Sequence, residues 1–246
     1  MEDRYVSILG VPFLYTTMKQ MTNRVVQHWE AGEKSFIITA NPEIVMKAYE
    51  EKSYMDLVQQ SDYVVADGIG VVKGAQLLGT PLPERVAGYD LMHELFKKAN
   101  EDSRSVYMLG AGKDVIGEAV EAVKKQYSNV NIVGSHHGFF DIHDESIVNE
   151  IKDSGADLIL VALGCPRQEQ WIAQHMGSFS KGVFIGVGGS FDVLAGKVER
   201  APMIWQKMNA EWLYRLVKQP SRWKRMMALP RFAGEVVKHK VTKRNG

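Results

Sequence analysis

The residues most able to do chemistry in this chain are a carboxylate behind a buried strand, several loop and tail arginines, and glycines that bring backbone close to a ligand. Val64-Val65-Ala66 reads as a short buried strand, and Asp67 stands at its carboxyl end. Gly68 and Gly70 follow, so the chain can turn tightly there and admit another molecule. In open parallel α/β sheets ligands bind at that edge, which makes Asp67 the leading acid–base candidate; the alternative is a cap for the next helix. Arg85 follows in a loop flanked by Pro83 and Gly88. Thr39 and Asn41 end another apolar strand, where Asn41-Pro42 is equally a helix start.

Gly110-Ala111-Gly112 follows the run Ser105–Leu109 in a strand–GxG–helix order that suits phosphate on helix amides. Val115 replaces the third glycine of a dinucleotide fingerprint, so a nucleotide phosphate fits better than NAD. Gly186-Val187-Gly188-Gly189-Ser190-Phe191-Asp192 is a second glycine-rich turn suited to a close ligand. Cys165 could be a nucleophile, but no histidine partner is recognisable, so it reads as packing. His136 and His137 are adjacent on a strand and face opposite ways, which speaks against a metal site. Gly138, Phe139 and Phe140 suggest either an aromatic surface for a base or ordinary core.

These residues need a frame that gathers strand ends. Apolar runs alternate with helical stretches from Phe36 to Ile185, which predicts an α/β fold: a mainly parallel, Rossmann-like sheet with helices on both faces. Tyr5–Leu9 reads as a strand turned by Gly10-Val11-Pro12, and Thr16 or Thr17 as the cap of a helix to Ala31. Helices are expected over 71–78 and 89–99. The expected division is a catalytic domain over 1–195, with two lobes at about 1–100 and 101–195 as a variant, and an appendage over 196–246.

The 246 residues carry a net charge of +1 with one cysteine, so an internal disulfide is excluded. The charged start Met1-Glu2-Asp3-Arg4 does not read as a secretory signal. No run approaches the ~18 apolar residues of a membrane span. From Gly196 onward there are 13 Lys/Arg and 3 Asp/Glu, a local charge of +10. Trp205, Met208, Trp212, Leu216 and Trp223 recur there near helical spacing among Arg215, Arg222, Lys224 and Arg225, with Pro220 and Pro230 dividing the segment into short helices. Basic, Trp-rich amphipathic helices lie in membrane interfaces. Packing on the body, or burial in a homo-oligomer interface, are the alternatives. No recognition motif supports a nucleic-acid partner.

Seven pieces in order resemble the WecG/TagA/CpsF glycosyltransferases (family 26), nearest to its TagA-type N-acetylmannosaminyltransferases. They are Thr39-Ala40-Asn41-Pro42-Glu43, Ala66-Asp67-Gly68-Ile69-Gly70, Glu84-Arg85-Val86-Ala87-Gly88, Gly164-Cys165-Pro166-Arg167-Gln168-Glu169, Gly186–Asp192, Arg200-Ala201-Pro202 and Glu211-Trp212-Leu213-Tyr214-Arg215-Leu216. Cys165 departs from the small residues usual at its position.

The resemblance implies an inverting, metal-independent transfer of N-acetylmannosamine from UDP to the 4-hydroxyl of GlcNAc-diphospho-undecaprenol, in wall teichoic acid linkage-unit synthesis. It implies Asp67 as base, Arg85 and Thr39 beside it, and Asn41, Gln168, Arg215, Arg222 and Arg225 on substrate. Gly110, Gly112, Gly188, Gly189 and Asp192 are the candidates for UDP. No cofactor is expected, and no Asp-x-Asp motif is present, so arginines would meet the leaving diphosphate. A cytoplasmic enzyme peripheral on the inner membrane face, held by its appendage, is the expected setting. A sibling using UDP-linked ManNAc-uronate or glucose, and a nucleotide-binding oxidoreductase, remain as alternatives.

Overall fold

A computed structural model describes residues 3–245, with the side chains of 243–245 excepted. Met1 and Glu2 of the charged start, and the side chains of Lys243 and Arg244 in the basic tail, lie outside the described residues.

The chain opens with a hairpin, β1 (Tyr5–Ile8) and β2 (Val11–Leu14), paired antiparallel. The turn is thus Leu9-Gly10, both at positive φ, and not Gly10-Val11-Pro12. Pro12 is tolerated within β2 because the two-stranded pairing leaves it little ladder to break. Then come α1 (Met18–Ala31), β3 (Lys34–Ala40), α2 (Pro42–Glu50), α3 (Lys52–Val58), β4 (Tyr63–Ala66), α4 (Ile69–Leu77) and α5 (Gly88–Asp102). After them run β5 (Ser105–Gly110), α6 (Lys113–Gln126), β6 (Asn131–His136), α7 (Glu145–Ser154), β7 (Leu158–Ala162), α8 (Arg167–His175), β8 (Gly182–Gly186) and α9 (Ser190–Leu194). The tail forms α10 (Met203–Lys207), α11 (Glu211–Lys218), α12 (Trp223–Met226) and α13 (Ala228–Asn245).

Local chemistry explains several boundaries. Thr17 caps α1 in a capping box with Gln20. Asn41 accepts the Ile44 N–H, and Pro42 occupies the first turn of α2. Pro220 opens a short 3-10 turn after α11. Pro230 does not break the tail: it falls in the first turn of α13, where a missing N–H costs nothing.

Six strands form one all-parallel sheet in the order β4-β3-β8-β7-β5-β6. Strands from before and after residue 100 share this sheet. Its central strands β7 and β8 are buried throughout, which is why they read as continuous apolar runs. Alternate residues serve opposite layers. Phe36, Ile38, Ile159 and Val161 join Trp171 and Phe232 on one face; Ile37, Val183, Leu158 and Leu160 join Leu91 and Phe96 on the other. The hairpin lies beside the edge strand β4, one way of covering an open edge.

The tail is of two kinds. α13 packs on α2 and α4, burying Ala228, Phe232 and Val236. Gly74 makes this possible: a Cβ there would meet the Phe232 ring at 2.8 Å. In contrast, Met203, Ile204, Met208, Trp212, Val217, Trp223 and Met227 of the α10–α12 segment are exposed.

Candidate active site

All six parallel strands end at one edge, and four of them, β4, β3, β8 and β7, open onto a cleft of about 600 Å³. Thr39 lies in β3 and Asn41 directly after it, Asp67 directly after β4, Cys165 in the loop after β7, Gln168 in the first turn of α8, and Gly188 and Gly189 in the turn after β8. Arg85 enters from the loop before α5. Arg215, Arg222 and Arg225 close the cleft from the tail, and Met226, Leu229 and Pro230 form an apolar wall.

Asp67 is no helix cap; Gly68 occupies that position, and no side chain caps α4. Burial pushes the Asp67 carboxyl up to about 6, while Arg85, the Gly88 N–H and Arg215 pull it back and Glu211 raises it. It is therefore ionised at neutral pH yet poised to take a proton. Gly88 has no Cβ, and one built there would meet Thr39 Oγ1 at 2.7 Å, so Thr39 sits tightly beneath this loop. The Thr39 hydroxyl donates to Gly186 O at 2.9 Å, tying β3 to β8. Asn41 serves as helix cap through Oδ1, which leaves its amide nitrogen for the cleft.

Asp90 and Glu211 link Arg85, Arg200 and Arg215 into one set of ion pairs. Arg85 Nη2 lies 3.3 Å from Asp90, and its Nη1 3.8 Å from Glu211. Glu211 also holds Arg215 at 2.7 Å. Arg200 pairs with Asp90 and stacks 4.7 Å over Tyr89. Arg225 pairs with Glu43 at 2.9 Å. Arg222 has no carboxylate within ion-pair distance among the described residues; its Nη1 donates to Gln219 at 3.1 Å. Burial, then the charges of Arg215 and Arg225, lower its guanidinium from the ordinary range. The Nε groups of Arg200, Arg215 and Arg222 are buried without partners. Concentrated, incompletely satisfied guanidiniums are an arrangement suited to phosphate oxygens.

Other expected residues fall elsewhere. Gly110 and Gly112 do not line this cleft: β5 lies just beyond β7, the last strand that opens onto it, and about 14 Å from β3 at normal spacing. Gly110 instead lets β5 and β7 approach: a Cβ would meet Ala162 O at 2.4 Å. Asp192 lies close enough to Arg222 to raise its pKa but is not in the lining. The Cys165 thiol is pushed up to about 12 by burial and by Glu169, and pairs with the Tyr54 hydroxyl at 3.3 Å; a thiolate is disfavoured there. His136 packs against His137 and Phe140. Phe140 is partly buried on the core beneath Arg167, and Phe139 is exposed. Arg200 and Glu211, which sequence reasoning gave no role, belong to the site; their presence in the Arg-Ala-Pro and Glu-Trp-Leu pieces was the available signal.

The fold and cleft define an α/β protein with an arginine-lined cleft at the carboxyl edge of a parallel sheet, a place where such proteins bind nucleotides. The model of the glycosyl transferase WecG/TagA/CpsF family matches residues 6–246, and the chain belongs to that family. It is 41% identical over 237 residues, covering 96% of this chain and 93% of the relative, to an N-acetylglucosaminyldiphosphoundecaprenol N-acetyl-beta-D-mannosaminyltransferase of Staphylococcus aureus strain MW2. The protein of that name in strain MRSA252 is 41% identical over 238 residues.

Proposed function

We propose that this protein transfers N-acetylmannosamine, with inversion, from UDP-ManNAc to the 4-hydroxyl of GlcNAc-diphospho-undecaprenol. The reading is carried by one observation: a carboxyl held near pH 6 shares its cleft with Arg85, Arg215, Arg222 and Arg225. The activity named for the relatives fits it.

In this mechanism Asp67 takes the proton from the acceptor hydroxyl as its oxygen attacks the anomeric carbon. The bond from that carbon to the diphosphate oxygen breaks on the opposite side, and UDP leaves with the electron pair. Developing charge on the diphosphate is met by guanidiniums already in place, which avoids reorganisation during the step. Arg85 serves both ends, since it also draws Asp67 toward its ionised form. Gly188 and Gly189 would admit the donor closely, and Thr39, Asn41 and Gln168 would orient hydroxyls.

The lipid acceptor gives the tail its purpose. No helix among the described residues is long and apolar enough to cross a membrane. The exposed apolar side chains of α10–α12, interleaved with Lys207, Lys218 and Lys224, suit an interfacial position. Binding there would hold the tail arginines over the cleft at the inner membrane face, where the acceptor is presented.

Incubation with a panel of UDP-sugars and a soluble GlcNAc-diphospho-lipid analogue tests the reading. UDP release and a new disaccharide lipid are expected with UDP-ManNAc. Preference for UDP-glucose or the uronate would contradict it.

A further inference from the structure

Glu169 is the most deeply buried acidic residue among the described residues, 1% exposed, and it does not line the cleft. Its neighbour Gln168, also buried, does. Gln168 Nε2 donates to Glu169 Oε1 at 2.6 Å, and Gln168 Oε1 accepts the Gly188 N–H at 3.0 Å. The two bonds define the carboxamide's orientation, because each end needs the opposite partner type. The clamp is tight: a Cβ on Gly186 would meet Gln168 Nε2 at 2.6 Å. One Nε2 hydrogen remains for the cleft.

We propose that Glu169 is a positioning residue that acts through Gln168. Its carboxyl fixes the plane of the Gln168 carboxamide, which holds the Gly188–Gly189 turn and aims the remaining Nε2 hydrogen at the sugar nucleotide. Without that acceptor the amide could rotate by half a turn and set two donors against each other at Gly188. The assignment of a sugar-nucleotide ligand rests on the function proposed above; the clamp itself rests on the geometry. Burial pushes the Glu169 carboxyl up to about 7 while the Gln168 bond lowers it, and a carboxyl oxygen can accept from Nε2 in either protonation state. Neutral glutamine should therefore replace it, and leucine should not.

The test uses the full chain with UDP-ManNAc and the acceptor analogue, comparing Glu169→Leu, Glu169→Gln, Gln168→Ala and the Gln168→Ala/Glu169→Leu pair. Glu169→Leu is expected to lose roughly 10- to 100-fold in kcat/KM, the scale of a misplaced positioning group. Glu169→Gln is expected to recover most of that loss, and Glu169→Leu to add little to Gln168→Ala. Equal losses in the Gln and Leu variants, or losses that multiply in the pair, would overturn the proposal and leave Glu169 a general packing residue. If Glu169→Leu does not fold, Glu169→Ala, which leaves room for water, takes its place. NMR of the Gln168 side-chain amide supplies a readout without turnover: slow-exchanging protons in wild type and Glu169→Gln, lost in Glu169→Leu, are expected, and no difference would overturn the proposal. A wild type inactive with every UDP-sugar would refute the functional reading alone, with the amide signal still deciding the clamp.

Discussion

Arg222 lies part-buried beside Arg215, two like charges on one wall of the cleft, and burial first, then Arg215 and Arg225, lowers the Arg222 guanidinium from its usual range. A cation kept desolvated among cations disfavours the empty site and favours one holding an anion. Arg222→Gln should therefore leave the melting temperature of the free protein unchanged or higher. The rise in melting temperature on adding UDP should shrink, and kcat/KM should fall by about 10²-fold or more, the scale of losing one charge-stabilising donor. Thermal shift with and without UDP checks both halves.

In the proposed mechanism Asp67 must be ionised to accept a proton, and burial raises its carboxyl to about 6. The kcat/KM profile should consequently fall as pH drops through about 6. Arg85 is the largest influence opposing burial at this carboxyl. Arg85→Gln should move the acid limb to higher pH as well as lowering the plateau. A limb that stays in place would separate Arg85 from Asp67.

The last helix is part of the body. Gly74→Ala would drive a methyl into the Phe232 ring, and overpacking of this kind costs roughly 1–3 kcal/mol. Phe232→Ala would empty a buried aromatic site, at roughly 3–5 kcal/mol. Both should loosen α13 and speed proteolytic cleavage within the tail, measured by limited digestion under native conditions. Removal of everything after Gly196 should likewise uncover the apolar faces of α2 and α4, with activity nearly abolished.

Much of this was legible in the chain. The β7 run Leu158–Ala162 could be read because both faces are covered, and Asn41-Pro42 announced α2 through local hydrogen bonding. The position of Asp67 at the cleft is readable because it directly follows a strand, whereas Arg85 reaches the cleft from a loop flanked by Pro83 and Gly88. The hairpin partner Val11–Leu14 is hard to read because the turn signals of Gly10 and Pro12 outweigh its three other apolar residues, Val11, Phe13 and Leu14. Gly110 and Gly112 suit a phosphate by motif, but a turn motif carries no strand order, and it is non-local pairing that sets them outside the cleft. The pieces that contain Arg200 and Glu211 mark them out, but where their side chains sit depends on how the tail folds back over the body. The same holds for Phe232, whose partner Gly74 is remote in sequence.

Trp212 and Trp223 are exposed on α11 and α12, where interfacial insertion would bury them. Trp212→Ser/Trp223→Ser should reduce cosedimentation with vesicles containing anionic lipid, and should slow reaction with a vesicle-bound acceptor more than with a soluble one. Equal effects on both acceptors would assign these side chains to folding or, for Trp212, to the cleft it lines, and would contradict the interfacial role.

The proton acceptor bears most of the account. Because the folded protein holds the Asp67 proton more tightly than the ordinary carboxylate value of 3.8 allows, ionising it costs stability as pH rises through 6. Asp67→Asn should thus be at least as stable as wild type at pH 8, which makes it a clean variant. The decisive measurement is single-turnover transfer from UDP-ManNAc to the soluble acceptor by Asp67→Asn, with UDP binding recorded on the same sample. A fall of about 10²–10⁴-fold in the transfer rate with UDP affinity retained is expected; transfer at the wild-type rate would contradict the account.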